Sequence, residues 1–168
     1  SPALPFPTDR YFLREFAPIA LKNPFPTNRI LRYTMDNKAL FKISYGLYLL
    51  SAKENGKDNG CIVNTLSQIT DSPLRVSVTV NKLNLTHDMI KRTGMFGASI
   101  LSESAPFDIF RSFGFQSGRD AQKFEGFDAE EDINGILHLT KHCTGFVSGK
   151  VVEEYDLGTH TTFIADVV

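Results

Sequence analysis

Hydrophobic residues recur at every second position in several short segments of this 168-residue chain, and that period commits it to sheet. Val76, Val78 and Val80 alternate with Arg75, Ser77 and Thr79, the pattern of a strand with one buried face and one wet face. Beside this alternation, apolar segments at Tyr45 to Ala52, from Cys61, and at Phe96 to Leu101 read as further short strands. The last third, Ile136 to Val168, repeats the alternation with Gly145, Gly149 and Gly158 as breaks. Turns are expected at Asn55-Gly56 and Asn59-Gly60, and a polar loop from Gln116 to Gly135. After a short amphipathic stretch, Asn37 to Ile43, only two segments read as helix. One has Thr86 as N-cap, Asp88 in its first turn, basic residues in its last and Gly94 closing it. The other runs from Ala105 to Phe113, with Pro106 in its first turn and Phe107, Ile109, Phe110 and Phe113 on its apolar side. Many short strands with two inserted helices predict a mainly β protein, a Greek-key barrel. No alternating strand–helix pattern, G-x-G-x-x-G turn or P-loop occurs, so the spacing argues against a parallel nucleotide-binding sheet.

Composition narrows the class further. The length suits one domain with a real core. A net charge of −1 gives no reason to expect nucleic acid or an acidic membrane surface as partner. No apolar run approaches 18 residues and nothing reads as a signal peptide, so the expectation is a cytoplasmic protein. The two cysteines, Cys61 and Cys143, have no metal-ligand spacing and read as small buried residues. His138 and His142, on an expected strand, lack a third ligand nearby and read as structural. Glu130, Glu131 and Asp132 read as a solvated acidic run, and Asp108 and Arg111 as the wet face of their helix.

Residues 1–34 differ in texture. Six of the eight prolines lie between Pro2 and Pro26, interleaved with Phe6, Phe12, Phe16 and Phe25, and the segment carries a net charge of +3. Prolines at that density break helices and central strands, so an extended arm is expected, with a domain over 35–168. The arm reads as a natural extension, an added leader or a targeting segment; being poor in serine, it fits a transit peptide badly.

Asn64, Thr65, Ser67, Gln68 and Thr70 follow an apolar opening at Cys61-Ile62-Val63. Buried polar groups need partners, so this run is either an exposed strand end or the edge of a flat, polar-rimmed ligand. The segment from Arg75 to Thr86 adds a strand, a loop carrying Lys82 and a helix start. Such an arrangement can hold a phosphate through backbone N–H groups, the helix dipole and the lysine charge. A threonine N-cap that is only a cap fits the same residues.

Five segments in one order carry a resemblance: Lys42-Ile43-Ser44-Tyr45-Gly46-Leu47-Tyr48, Asn59-Gly60-Cys61-Ile62-Val63-Asn64-Thr65, Asn81-Lys82 through Thr86-His87-Asp88-Met89-Ile90, Phe113-Gly114-Phe115-Gln116-Ser117-Gly118-Arg119-Asp120, and Asp156-Leu157-Gly158-Thr159-His160. Over roughly Asp36 to Val168 they resemble the flavin reductase-like family. The match is strongest to the anaerobe branch that includes the flavin reductase domain of high-molecular-weight rubredoxins. The resemblance implies an FMN-binding split barrel, with FMN in a groove at a homodimer interface. It implies hydride passing from NADH or NADPH to FMN, then electrons going to rubredoxin, a flavodiiron protein or another acceptor. An iron site of the rubredoxin type needs four cysteines, so that partner would be a separate module.

The same resemblance assigns residues. Val63, Asn64, Thr65 and Ser67, with Gln68 close by, look like the edge that meets the isoalloxazine. Asn81, Lys82, Thr86 and His87 look like the phosphate and ribityl site. Ser117, Gly118 and Arg119 look like a lid, with Arg119 able to reach a phosphate. Gly158 and His160 resemble a Gly-x-His turn on the nicotinamide side. No residue is required as acid, base, nucleophile or metal ligand. Each polar residue also has a plainer reading: Asn64 and Gln68 as strand-end caps, His87 and His160 as surface residues. A flavin-binding electron carrier of the flavoredoxin kind, using no pyridine nucleotide, is the alternative function. Two departures stand out: Ala165 where the family often has Gly, and an end at Val168 before the usual C-terminal tail.

Overall fold

The structure, a computed structural model, describes residues 37–168. The expected arm over 1–34 lies outside the described residues. Residues 42–168 form one compact unit, and a 3-10 helix, Asn37–Lys42, occupies the expected amphipathic stretch.

Strands β1 (Tyr48–Glu54) and β2 (Lys57–Val63) form a hairpin in which Glu54 pairs with Lys57. Its two-residue turn needs positive φ at both positions, and Asn55 and Gly56 supply 51° and 76°. Asn59-Gly60, expected as a second turn, lies inside β2 instead. Gly60 is there because a Cβ would stand 2.9 Å from Leu49 Cδ1 and 3.1 Å from Leu50 O. The glycine answers a close approach rather than a bend.

The remaining elements are β3 (Ser67–Asp71), β4 (Leu74–Asn81), α1 (Leu85–Thr93), β5 (Met95–Leu101), α2 (Phe107–Gly114), β6 (Ala129–Glu131), β7 (Leu137–Leu139), β8 (Cys143–Asp156) and β9 (His160–Val167). Seven strands form one antiparallel sheet in the order β2-β1-β5-β8-β9-β4-β3, while β6 and β7 pair apart from it. Consecutive strands β2 and β3 therefore occupy opposite edges, yet only Asn64–Leu66 joins them. Four peptide steps reach at most about 14 Å, whereas a flat seven-stranded sheet would hold its edges about 29 Å apart. The sheet must curl until its edges approach without pairing. The result is a split barrel, as expected.

Alternating residues of β4 and β9 fill the barrel with Val76, Val78, Val80, Phe163 and Ala165, joined by Leu50, Phe96, Met89 and Ile90. Strand β1 is covered on both faces. Leu50 points into the barrel, while its neighbour Leu49 packs outside with Ile109 and Phe113 of α2 and with Leu139. Helix α1 ends as its sequence demands, at Gly94 with φ 70°. Its N-cap is Asn84, not Thr86, because Asn84 holds the extended backbone of the preceding loop. Helix α2 starts after Pro106 rather than around it.

The expected loop over 116–135 contains β6, and Asp132 is an organised turn residue rather than part of a solvated run. Its carboxylate accepts from the backbone N–H groups of Asn134 (2.8 Å) and Ile136 (2.9 Å) and from Ser148. His138 lies on β7, stacked on Phe146 at 3.9 Å, but His142 sits in a turn at φ 61° rather than on a strand. Cys61 is buried; Cys143 is only half-buried. Among the described residues, no helix is long and apolar enough to cross a membrane.

Gly149 lies where β8 crosses the barrel core. A Cβ there would stand 2.5 Å from Phe96 Cζ and 3.0 Å from Ala165 Cβ. Ala165 itself is fully buried, so neither neighbour has room to yield. Gly149→Ala should destabilise the fold by about 1–3 kcal/mol, read as a lower urea midpoint at unchanged slope.

Candidate functional site

The register of β4 against β9 sets Asn81 directly across from His160. The residues that follow in each direction are tied together. Lys82 N–H donates to Thr159 O (3.0 Å), and Lys82 Nζ donates to Asp156 Oδ1 (2.6 Å). Gly158, at φ 83°, donates its N–H to the same Asp156 oxygen at 2.7 Å. Lys82 and the Gly158 amide hold the Asp156 carboxyl below its usual range. Four expected site residues, Asn81, Lys82, Gly158 and His160, thus form one cluster, although some 77 positions separate its halves in sequence.

The β2–β3 crossing reaches the same strand. Thr65 Oγ1 donates to Thr79 O (2.6 Å) and accepts from Thr79 N–H (3.2 Å), which pins the loop over β4 two residues from Asn81. Asn64 and Thr65 are exposed, and Val63 is buried at the end of β2. Ser67 and Gln68 fall elsewhere. They line an apolar cleft of about 460 Å³ with Tyr48, Leu66, Val76 and Val147.

A second pocket, about 230 Å³, opens between the start of α1 and the loop after α2; Asn59, Cys61, Asn84, Thr86, Ser117 and Lys123 are among its walls. Thr86 is fully buried and accepts from Asn59 Nδ2 at 2.8 Å. The other amide atom, Asn59 Oδ1, is buried without a donor and is covered by Gly118. Lys123 Nζ donates to Gly60 O (2.8 Å) and Phe113 O (3.2 Å), fastening the loop to β2 and α2. Burial pushes the Lys123 ammonium below the usual lysine range and the Cys61 thiol up.

Arg119 ties the loop to the start of α1. It donates to Leu83 O (3.0 Å) and to Asp88 Oδ2 (2.9 Å). His87 is buried, with Nδ1 at 3.0 Å from Asp88 Oδ1 and Nε2 at 2.9 Å from Thr161 Oγ1. Both ring nitrogens are engaged within the protein, so the imidazole is a packed structural element rather than an open donor. Asn59, Asp88, Lys123, Asp156 and Thr161 surround the candidate site, and the sequence alone assigned none of them to it. Asn-Gly carries a turn signal that hid Asn59, and nothing local distinguishes a buried lysine from a solvated one. Among the described residues, no group of three His, Cys, Asp or Glu side chains is placed to hold a metal.

Residues 40–168 match the flavin reductase like domain. The chain belongs to that family. It is 39% identical over 134 residues to a ferric-chelate reductase (NAD(P)H) of Archaeoglobus fulgidus, covering 80% of this chain and 79% of that protein. It is 38% identical over 133 residues to a high molecular weight rubredoxin of Moorella thermoacetica, covering 79% of this chain and 58% of that longer protein. In three dimensions it resembles the flavoredoxin of Methanosarcina acetivorans, with a TM-score of 0.67 at 23% identity, covering 74% of this chain and 66% of that one. The flavin reductase split barrel is thus the fold of this chain.

Two outcomes check the second pocket. A Cβ on Gly118 would stand 1.8 Å from Asn59 Oδ1, so Gly118→Ala should lift the loop, lower the melting temperature and speed amide exchange over 115–119 in mass spectrometry. For Lys123, the unfolded chain holds the proton more tightly than the folded one. Its share of stability therefore rises with pH from its lowered value up to the ordinary 10.5. Lys123→Met should remove that rise, seen in urea unfolding of both proteins at about pH 8 and pH 10.

Proposed function

We propose that this chain is an FMN-binding flavin reductase that uses NADH or NADPH and passes electrons to a rubredoxin, a flavodiiron protein or another acceptor. The observation that supports this reading is the cluster at the β4–β9 end. There, a lysine, two polar strand-end residues and a Gly-x-His turn meet beside the crossing loop pinned by Thr65. Family membership supplies the chemical class, and relatives bearing NAD(P)H reductase and rubredoxin names support the donor and acceptor classes.

In this reading Lys82 offsets the phosphate charge, with Arg119 within the same rim. The first N–H groups of α1 suit a tail carrying a phosphate group. Val63, Asn64 and Thr65 offer backbone and hydroxyl groups to the polar edge of the ring, with Ser67 and Gln68 at the neighbouring cleft. His160 and Gly158 border the nicotinamide. Bound FMN would accept the hydride and carry the electrons, and these side chains orient the rings and exclude water. The exposed faces around the crossing loop suit a homodimer in which a second subunit adds a wall, and a cytoplasmic setting suits a nicotinamide-dependent enzyme.

The test begins with the visible spectrum of the purified protein, followed by anaerobic addition of each nucleotide. Flavin bands that bleach with NADH or NADPH are the expected result. A yellow protein that neither nucleotide bleaches would make it an electron carrier instead. A colourless protein that takes up no added FMN would remove both readings.

A further inference from the structure

Lys82 and Arg119, the two cations assigned to the phosphate, both face carboxylates in this structure: Asp156 at 2.6 Å and Asp88 at 2.9 Å. We propose that Asp156 and Asp88 are specificity-determining residues, exchangeable locks that the cofactor's phosphate must open. This inference rests on the phosphate reading of Lys82 and Arg119 given above.

The geometry suits exchange because each carboxylate has a second anchor. Asp156 Oδ1 also accepts the Gly158 N–H at 2.7 Å, which stays in place if Lys82 swings away. Asp88 uses its other oxygen, Oδ1, toward His87 Nδ1 at 3.0 Å. A carboxylate only accepts, so Nδ1 donates to Asp88, and Nε2 lies 2.9 Å from the Thr161 hydroxyl. The buried imidazole is therefore fixed and keeps Asp88 satisfied. Arg119 has its own second hold, Nη1 to Leu83 O at 3.0 Å, so one arm of the guanidinium can turn while the other stays.

Exchange costs the ion pair and returns a stronger one. A phosphomonoester carries about −1.5 to −2 charges at neutral pH, against one for a carboxylate. A dianionic tail opens the locks. An uncharged tail has no use for the cations and leaves the locks shut.

Flavin-fluorescence titrations of the full chain with FMN and with riboflavin separate these terms, because the two ligands differ only in the phosphate. Asp156→Asn should raise the FMN-to-riboflavin affinity ratio roughly threefold. Asp88→Asn should act in the same direction. Lys82→Met should lower the FMN-to-riboflavin ratio, and Asp156→Asn should add nothing in that background. Asp120→Asn, in the loop that carries Arg119, controls for the general loss of negative charge and should move the ratio less. A ratio in Asp156→Asn equal to or below that of the native chain would overturn the locks, since the carboxylate would then not compete with phosphate. Equal binding of FMN and riboflavin by the native chain, unchanged by Lys82→Met, would instead remove the phosphate reading and the locks with it.

Discussion

Three residues, Asn64–Leu66, connect strands on opposite edges of a seven-stranded sheet, and most of the architecture follows from that crossing. It fixes the curl, because no flat sheet can bring its edges within the reach of so short a link. Curl in turn decides which side chains are inside. Val76, Val78 and Val80 of β4 meet Phe163 and Ala165 of β9 and Leu50 of β1 in one core. The crossing itself cannot join the ladder, so it hydrogen-bonds through a side chain, Thr65 to the backbone of Thr79. A loop whose conformation is dictated by the barrel and pinned by a hydroxyl is a rigid edge, and rigid edges suit ligand recognition better than free loops do.

Strand register does the same for the cluster at the far end of β4. Neither Asn81 nor His160 carries a local signal that the other will be opposite. One register, Asn81 against His160, brings them together and delivers Lys82 to Asp156 and to the Gly158 turn. The turn needs Gly158 because its backbone stands at φ 83°, where side chains are disfavoured. Sheet geometry, rather than any compact motif, composes this part of the molecule.

The sequence was legible where one local force dominates. The period of β4, the Asn55-Gly56 turn and the Gly94 stop each depend on a few adjacent residues, and each appears where the pattern puts it. It misled where a distant partner decides. Asn59-Gly60 has turn chemistry, but Phe113, Leu49 and the Leu50 carbonyl crowd Gly60 from the neighbouring elements and hold it in a strand. Thr86 has cap chemistry, but Asn59 claims its hydroxyl and the helix begins earlier, at Asn84. Leu49 and Leu50 break the alternation of β1 because α2 covers the barrel's outer wall. Residues that the resemblance singled out on distant segments, Asn81, Lys82, Gly158 and His160, come together only through strand register, while Ser67 and Gln68 line a separate apolar cleft.

The polar groups around the candidate site divide by how much each could lose. Asn59, Thr86, His87, Thr161 and Lys123 are buried, and removing a partner from any of them strands a desolvated donor or acceptor. They form a floor that is costly to rearrange. Lys82, Arg119, Asp88 and Asp156 are at least partly exposed, where water can replace a lost partner and an ion pair contributes little to stability. Charge at the rim is therefore free to change partners while the floor beneath it holds its shape. A site that must take up and position an anionic ligand needs both properties, and the curl of the sheet supplies them by placing the end of one strand pair at the surface and the start of α1 over the core.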